Sequence, residues 1–281
     1  MIPRRARARV DLHLHTTASD GRCTPRELVD RVSDAALTVM AVTDHDTTAA
    51  VADVQARARS HGIEAISGIE ITAVEDGRDI HVLGYFIDPL HEALQTFLAV
   101  QRQARLTRIE AIGVRLAELG MRVDVRPLVE AATAQRGRSV GRPLVARALV
   151  EAGYVADTRE AFDRWLGRGC PAFVARAGAT PEVVIGVIHE AGGIASIAHP
   201  GKADLAARIP SLAAAGLDAV EVFHPDHDDS LVALYLQIAR DLRLCTSGGS
   251  DFHGDPAHGR SPGSVTLPPE EWDRLRAHGH R

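Results

Sequence analysis

Residues 10–16, VDLHLHT, alternate apolar and polar side chains in the way that a half-buried β-strand does. Successive side chains of a strand point to opposite faces, so His13 and His15, on either side of Leu14, point the same way. Two imidazoles side by side are either a pair of metal ligands or two hydrogen-bonded histidines on a half-polar strand. The rest of the chain has to decide between these interpretations.

Helices and strands alternate after this first strand. Thr24, Pro25 and Glu27 form a typical helix start, with an N-cap threonine, a proline at the first helical position and an acid three residues after the cap. The elements predicted from there are a helix to about residue 37, a strand at 39–43, a helix at 47–60 and a strand at 63–71. This alternation predicts parallel strands with helical crossovers, arranged as a doubly wound sheet or as a barrel.

The alternation of strands and helices stops between residues 90 and 178. This stretch begins with a long arginine-rich amphipathic segment and continues with short helical patterns and little strand signal. Strand patterns return at residues 193–198, 217–223 and 242–247. We therefore predict an α/β domain in two pieces, residues 9–98 and 179–276, with an inserted helical subdomain at residues 99–178.

Histidines and acids recur where the predicted strands end. Asp20 lies in a Ser-Asp-Gly turn after the first strand, and His45 closes the second. Glu70 occupies the matching end of the third strand, with His81 shortly after it. Taken singly, Asp20 is typical of a turn and His45 of a helix cap. Glu70 differs, because a carboxylate between two isoleucines is costly without a cation or a hydrogen-bond partner.

The same pattern continues after the insertion. His199 follows an apolar strand, and Asp251 and His253 follow the last one. Core packing would place valine and leucine at such positions, and parallel α/β folds build their sites at the carboxyl ends of strands. The sequence therefore predicts a polynuclear metal site. Imidazole and carboxylate without thiolate suit zinc, manganese or iron(II), and bridging carboxylates allow two or three ions.

The composition excludes several other classes of protein. A chain of 281 residues with 45% hydrophobic and 25% charged residues is neither disordered nor a disulfide miniprotein. A formal net charge of −5 does not indicate a surface that binds nucleic acid through its overall charge. Three cysteines without CxxC spacing, no apolar run long enough for a bilayer and no signal peptide predict a cytoplasmic protein without a membrane partner. The oligomeric state stays open.

Together, these motifs resemble those of the PHP (polymerase and histidinol phosphatase) family of metal-dependent phosphoesterases. The matching blocks are HLHT at 13–16, SDG at 19–21, TDHD at 43–46, GIE at 68–70, His81, AHP at 198–200 and SDFH at 250–253. The resemblance covers about residues 9–98 and 179–255. It implies a distorted (β/α)7 barrel with three divalent ions, of which manganese is the one we expect, with zinc and iron(II) as alternatives.

The resemblance also implies how the side chains share these ions. The implied sets are His13, His15, Glu70 and Asp251 for one ion, Glu70, His81 and His199 for a second, and Asp20, His45 and His253 for the third.

The insertion narrows the resemblance to one branch of the family. That branch removes phosphate from nucleoside 3',5'-bisphosphates or trims short 5'-phosphorylated RNA, and its inserted helices cover the metal face. The phosphate-binding residues implied here are Arg105, Arg108, Ser139 and Arg142. The alternative interpretation of Arg105 and Arg108 is that they lie on a solvent-exposed face of a helix. The chain departs from the branch at Leu144, where a histidine is usual, so one polar contact to substrate is missing or comes from elsewhere.

These residues lead to a mechanistic hypothesis for phosphate ester hydrolysis. Clustered divalent ions lower the pKa of water and neutralise phosphoryl oxygens, so a hydroxide shared by two ions would attack phosphorus in line. The third ion or His224, which ends a strand near the site, would assist the leaving oxygen. The arginines of the insertion would hold a second phosphate and so position the reacting one. The expected substrate is a small phosphorylated nucleotide or a short oligoribonucleotide, without stable binding of duplex nucleic acid.

Several alternatives remain open from the sequence. The metal motifs fit equally a phosphatase for a small metabolite such as histidinol phosphate, or a nuclease acting mainly on oligonucleotides. A non-catalytic metal-binding module is a different class, which the apparently complete ligand set opposes. A C–N hydrolase is also compatible with the ligands, and the arginine-bearing insertion argues against it. Nucleophilic serine or cysteine catalysis has little support, because the two GxSxG matches, at residues 137–141 and 259–263, do not follow a predicted strand as a nucleophile elbow does.

Overall fold

The computed structural model describes residues 7–135, 137–256 and 259–279. Within these residues, seven strands form one sheet in chain order. The strands are β1 (Val10–Leu14), β2 (Val39–Val42), β3 (Glu64–Glu75), β4 (Arg78–Tyr85), β5 (Ile194–Ile197), β6 (Ala219–Phe223) and β7 (Cys245–Gly248). After β7 the chain turns back to β1, where the His15 amide donates to the Phe252 carbonyl over 3.0 Å. The sheet is thus a nearly closed barrel, and the predicted fold class is confirmed.

One strand runs against the others. β1, β2 and β3 are parallel, as are β5, β6 and β7, but β4 is antiparallel to both β3 and β5. The expectation of uniformly parallel strands was wrong here, because β3 and β4 are joined by a tight turn at Asp76 and Gly77. Both turn residues have positive φ angles, 50° and 70°, which an Asp-Gly pair tolerates.

This hairpin changes where two site residues lie. β3 continues five residues beyond Glu70, so Glu70 lies in mid-strand and not at the strand end that we predicted. His81 lies in mid-strand in β4, opposite Thr72. The hairpin extends past the rim of the barrel, so both side chains still reach the face formed by the ends of the other strands.

The helices surround the barrel and form the insertion. They are α1 (Pro25–Asp34), α2 (Val51–Ser60), α3 (Glu92–Glu118), α4 (Arg126–Ala134), α5 (Arg142–Glu151), α6 (Thr158–Ala161), α7 (Pro181–Glu190), α8 (Ile209–Ala214), α9 (Asp229–Leu242) and α10 (Pro269–Gly279), with a π-helical turn at Phe162–Leu166 and a 3₁₀ turn at Pro200–Ala203. No helix in the described part of the chain is both long and apolar enough to span a membrane.

Local chemistry explains two of the helix starts. The predicted capping box of α1 is present, since the Thr24 amide donates to Glu27 and the Glu27 amide donates to the Thr24 hydroxyl. α2 begins at Val51, four residues later than predicted. The delay follows from Asp46, which has a φ of 51°, and from Thr47, whose hydroxyl donates to the Gly137 carbonyl over 2.5 Å.

The helix α3 belongs to two hydrophobic cores. Leu94 and Leu98 pack into the core between the sheet and α7, whereas Ile109, Ile112 and Leu116 pack into a separate core. That second core is built from the insertion and also contains, among others, Val140, Leu144, Val145, Leu149, Ala161 and Leu166. A single 27-residue helix therefore crosses the boundary predicted between residues 98 and 99. Leu144, where the branch has a histidine, is buried in the core of the insertion.

The closure of the barrel requires a glycine beside β1. A Cβ atom on Gly249 would lie 2.4 Å from the His13 amide nitrogen and 2.7 Å from an Asp11 carboxylate oxygen. Real Cβ contacts are not this short, so β7 can approach β1 only without a side chain at this position.

We therefore predict that Gly249→Ala destabilises the fold. The overlap with β1 should lower the free energy of unfolding by about 3 kcal/mol, measured by urea denaturation. Gly186→Ala is the matched control, because Gly186 lies in the exposed middle of α7, where an added methyl group would meet no other atom. That control should raise the free energy of unfolding by roughly 0.5–1 kcal/mol. Equal unfolding midpoints for Gly249→Ala and the native protein would contradict the prediction.

Candidate active site

The carboxylate of Glu70 lies at the centre of a cluster of imidazoles. Its Oε2 atom is 3.2 Å from each of three ring nitrogens: His13 Nε2, His15 Nε2 and His45 Nδ1. Its Oε1 atom is 2.7 Å from His81 Nδ1 and 3.1 Å from His199 Nε2. Glu70 is buried, so these imidazoles are its immediate surroundings. The two oxygens therefore face two different groups of nitrogen donors.

Asp251 joins the first of these groups. Its Oδ1 atom lies 3.4 Å from His13 Nε2 and 3.5 Å from His15 Nε2. These two nitrogens also face Glu70 Oε2, so four donor atoms surround one point. Asp251 has a φ of 50°, a left-handed conformation that is uncommon for a residue other than glycine.

Asp20 forms a third group on the other side of His15. Its Oδ2 atom lies 3.6 Å from His45 Nε2, and its Oδ1 atom lies 3.3 Å from His253 Nε2. The structure thus brings the nine predicted ligands into one cluster. His45 contacts Glu70 as well as Asp20, so the contacts do not by themselves divide the nine residues into the three implied sets. Their role as metal ligands remains a prediction.

Unpaired buried atoms test whether this cluster fits divalent cations. Both ring nitrogens of His15, Nδ1 of His45 and His81, and Oδ2 of Asp20 are buried without a hydrogen bond. Such atoms are costly unless something else pairs with them. The described residues contain three sets of donor atoms, and within each set all the atoms lie within 4.8 Å of one another. The sets are His15, Asp20, His45 and His253; His13, His15 and Asp251; and His45, Glu70 and His81. Nitrogen and carboxylate donors converging at this spacing fit metal ions.

Burial and charge set the protonation of the cluster. Burial lowers the pKa of both His45 and His199 to about 3, so these imidazoles are neutral and ready to donate a lone pair. Burial also opposes protonation of His15, but the carboxylates of Asp251 and Glu70 outweigh it and raise the pKa of His15 to about 9. The pKa of His13 is raised as well, because Glu221 and Glu70 outweigh its burial.

Two buried acids that were not predicted from the sequence accept hydrogen bonds from the predicted ligands or from the backbone beside them. Glu221 on β6 accepts a hydrogen bond from the ring of His13 over 2.8 Å and from the backbone amide of His199 over 2.6 Å. Asp11 accepts from the amides of His13 and Ser250. The signal that identified Glu70, an acid inside an apolar strand, was equally present for Glu221. Such contacts fix the orientation and tautomer of a ligand.

Arg105 is tied to the loop that carries His45. Its guanidinium donates to Asp46 Oδ2 over 2.5 Å and to Thr72 Oγ1 over 2.7 Å. Arg176 donates to the same Asp46 oxygen. We predicted Arg105 as a substrate-binding residue. These contacts favour a role in holding the insertion against the metal site, and direct contact with substrate remains a prediction.

Arg108 and Arg142 share a different carboxylate. They donate to Asp79 Oδ2 over 2.8 Å and 3.1 Å, and both guanidinium groups lie near the ring of Phe173. Burial raises the pKa of Asp79, but Arg108 and Arg142 outweigh it and hold the pKa at about 2. The fourth predicted contact, Ser139, is buried with an unpaired hydroxyl.

His224 lies beside Asp251 and is fully buried. Its Nδ1 accepts from the Asp226 amide over 3.1 Å, and its Nε2 is 3.3 Å from Asp251 Oδ2. A backbone amide at Nδ1 places the ring proton on Nε2, so the ring donates to Asp251. These contacts favour a role in orienting Asp251, and proton transfer to a leaving group remains a prediction. Lys202 and Arg260 also donate to Asp251 Oδ2, over 3.0 Å and 2.6 Å.

Two adjoining cavities open onto the cluster. The smaller, of about 190 Å³, is lined at one end by Asp20, His45 and His81, and at the other by Asp79, Arg105, Arg108 and Arg142. The larger, of about 790 Å³, is lined by members of the metal cluster together with Arg147, Lys202 and Arg260. Arginine and lysine therefore border the cluster on both sides.

Comparisons with known proteins agree with this geometry. The sequence profile of the PHP domain matches residues 11–133. The chain is 35% identical over 268 residues to a 3',5'-nucleoside bisphosphate phosphatase from Chromobacterium violaceum, which covers 93% of each chain. It is 36% identical over 251 residues to the 5'-3' exoribonuclease Rnm from Escherichia coli, covering 86% of this chain and 84% of that one.

A solved structure has the same architecture. A protein from Bifidobacterium adolescentis, described as a metal-dependent phosphoesterase, superposes with a TM-score of 0.88 at 28% sequence identity over 96% of each chain. The similarity therefore extends over the barrel and the insertion.

The raised pKa values of His13 and His15 predict that metal binding releases protons. Without a metal, the ring of His15 is protonated below about pH 9, the pKa of His13 is raised in the same direction, and a cation must displace these protons. The affinity for Mn²⁺ should therefore increase as the pH rises from neutrality toward about 9. Calorimetric titrations in buffers of different ionisation enthalpy measure the protons released.

Two histidine variants make this measurement specific. His15→Gln should reduce the proton release, whereas His61→Gln should leave it unchanged, because His61 lies on the surface beside Ser33. A metal affinity that is independent of pH would contradict the prediction.

Proposed function

The chain belongs to the PHP domain family and is a hydrolase of phosphoester bonds, and we propose that its substrates are nucleoside 3',5'-bisphosphates. Adenosine 3',5'-bisphosphate, converted to AMP and phosphate, is the representative substrate. The observation that carries this proposal is the smaller cavity, because three of the predicted metal ligands and three arginines of the insertion line the same space. A ligand with two phosphates can contact both ends of such a cavity at once.

The metal end of the cavity would hold the reacting phosphate. Asp20, Glu70, Asp251 and six histidines offer the donors for divalent ions, and we propose three ions with manganese as the native metal. Bound there, such ions supply Lewis-acid stabilisation of phosphoryl charge and activation of water. The chain itself orients these donors, as Glu221 does at the ring of His13 and Asp11 at its backbone amide.

The arginine end would bind the phosphate that does not react. Arg108 and Arg142 are anchored by the carbonyls of Val174 and Leu166, over 2.9 Å and 3.2 Å. Arginine presents a planar set of donors that matches phosphate, and a guanidinium held in place loses little freedom on binding. Binding energy gained here positions the reacting ester at the metal end.

Short 5'-phosphorylated oligoribonucleotides are a second proposed substrate class. The observation that favours them is the larger cavity, which adjoins the same cluster and adds Arg147, Lys202 and Arg260 to its walls. A chain leaving the cluster through this cavity would meet further cationic groups for its backbone phosphates.

A substrate panel tests the proposed function. Manganese is added back to chelated protein, and release of phosphate or nucleotide is followed with adenosine 3',5'-bisphosphate, histidinol phosphate and 5'-phosphorylated dinucleotides. We expect the highest kcat/KM for the bisphosphate, because it alone presents a second terminal phosphate at a fixed distance. A preference for histidinol phosphate would favour the small-metabolite alternative, and no turnover of any substrate would favour a non-catalytic module.

Substitution of Arg142 tests the second phosphate contact. Arg142→Ala should lower kcat/KM for the bisphosphate by roughly 10- to 100-fold, the loss of about 1.5–3 kcal/mol from one charged hydrogen bond. The activity toward p-nitrophenyl phosphate, which has no second phosphate, should change little. Arg164→Ala is the control, because Arg164 is an exposed arginine of the same insertion that pairs with Glu160. Equal losses on both substrates would refute the anchoring role of Arg142.

A further inference from the structure

Asp79 lies among the residues that face the proposed phosphate. It precedes His81 by two positions on β4, so both side chains lie on the same face of the strand. Both also line the smaller cavity, together with Arg108 and Arg142. An acid in a pocket for an anion is unexpected, because it repels the ligand that the pocket binds.

The contacts of Asp79 are those that a ligand phosphate would make. One carboxylate oxygen, Oδ2, accepts from Arg108 over 2.8 Å and from Arg142 over 3.1 Å. Asp79 is anchored on the barrel, whereas both arginines come from helices of the insertion. The carboxylate thus occupies donors of two guanidinium groups that are otherwise held by backbone carbonyls of the insertion.

The charge of this group differs from that of a bare arginine pair. Two guanidinium groups and one carboxylate carry a single net positive charge, and the side chains of Arg108 and Asp79 are largely buried. A phosphate entering the pocket has to share or displace the contacts of Asp79. Since Coulomb repulsion scales with the charge of the ligand, the penalty is larger for a dianion than for a monoanion.

We propose that Asp79 is a specificity-determining residue that competes with ligand phosphate for Arg108 and Arg142 and weakens the binding of dianions more than that of monoanions. The proposal rests on the proposed function, in which this pocket holds the phosphate that does not react. That phosphate stays on the nucleotide after the reaction. A built-in competitor therefore limits retention of the product as well as binding of the substrate.

Anion binding to the manganese-loaded protein tests this role without turnover. Dissociation constants for sulfate, a dianion, and dimethyl phosphate, a monoanion, are measured by calorimetry for the native protein and for Asp79→Asn. Asparagine keeps the shape of the side chain and an oxygen acceptor but removes the charge. We expect sulfate to bind about tenfold more tightly to the variant, with a smaller gain for dimethyl phosphate.

A double-mutant cycle shows whether the gain in sulfate affinity acts through the arginines that contact Asp79. Sulfate can also bind at the metal end, so the Asp79→Asn change is repeated in a background in which both Arg108→Met and Arg142→Met are present, where the gain should disappear. Glu118→Gln is the charge-matched control, because Glu118 is an exposed acid of the insertion that lines neither cavity. This control should leave both dissociation constants unchanged.

The outcomes separate this inference from the proposed function. Sulfate affinity that is unchanged or weaker in Asp79→Asn, or a gain that is equal for both anions or persists without both Arg108 and Arg142, would overturn the role of Asp79. Failure of the native protein to hydrolyse bisphosphates would instead overturn the proposed substrate, while the anion measurements would still report on the competition. If the proposed substrate and the role of Asp79 are both correct, Asp79→Asn should also lower the inhibition constant of AMP in the hydrolysis assay.

Discussion

The buried carboxylate of Glu70, shared by imidazoles from widely separated parts of the chain, is the constraint on which the site depends. An ionised group in this environment is tolerated only when cations or hydrogen-bond donors surround it. Each neighbouring element must therefore deliver a side chain to the same point. Closure of the barrel meets this requirement, because β7 turns back on β1 and brings Asp251 within 3.4 Å of His13. Gly249 makes the approach sterically feasible.

Local patterns in the sequence predicted the α/β class and most of the residues that the structure brings into the cluster. Strand alternation, the capping box at Thr24 and the acid inside an apolar strand are short-range signals, which left a doubly wound sheet and a barrel open until the resemblance to the PHP family favoured the barrel. The reversal of β4 was missed although Asp76 and Gly77 form a typical hairpin turn, because the strand was ended at Ile71. Glu221 was missed although it is also an acid inside an apolar strand, and its partner His13 could not be read from that pattern because their contact depends on closure of the barrel.

The arginines of the insertion show where a resemblance between sequences reaches its limit. It identified Arg105 and Arg142 as candidates for phosphate binding but said nothing about their intramolecular partners. The structure pairs Arg105 with Asp46 and Arg142 with Asp79, acids that lie far away in sequence. In a protein with a net charge of −5, Asp46 thus accepts from Arg105 and Arg176, and Asp79 accepts from Arg108 and Arg142, so each carboxylate offsets part of the charge of two arginines beside the cluster. In the proposed role of Asp79, affinity for anions depends on this balance as well as on the number of arginines.

The continuity of α3 bears on how new specificities can arise in this architecture. This single helix packs into the core of the barrel through Leu94 and Leu98, and it carries Arg105 and Arg108 to the cavity beside the cluster. The insertion is therefore continuous with the barrel through one helix. Substitutions within residues 109–178 change the core of the insertion and the cavity wall that faces the cluster, whereas the nine clustered residues all lie outside that range. Selection for new substrates can then act on the core of the insertion without changing the core between the sheet and α7.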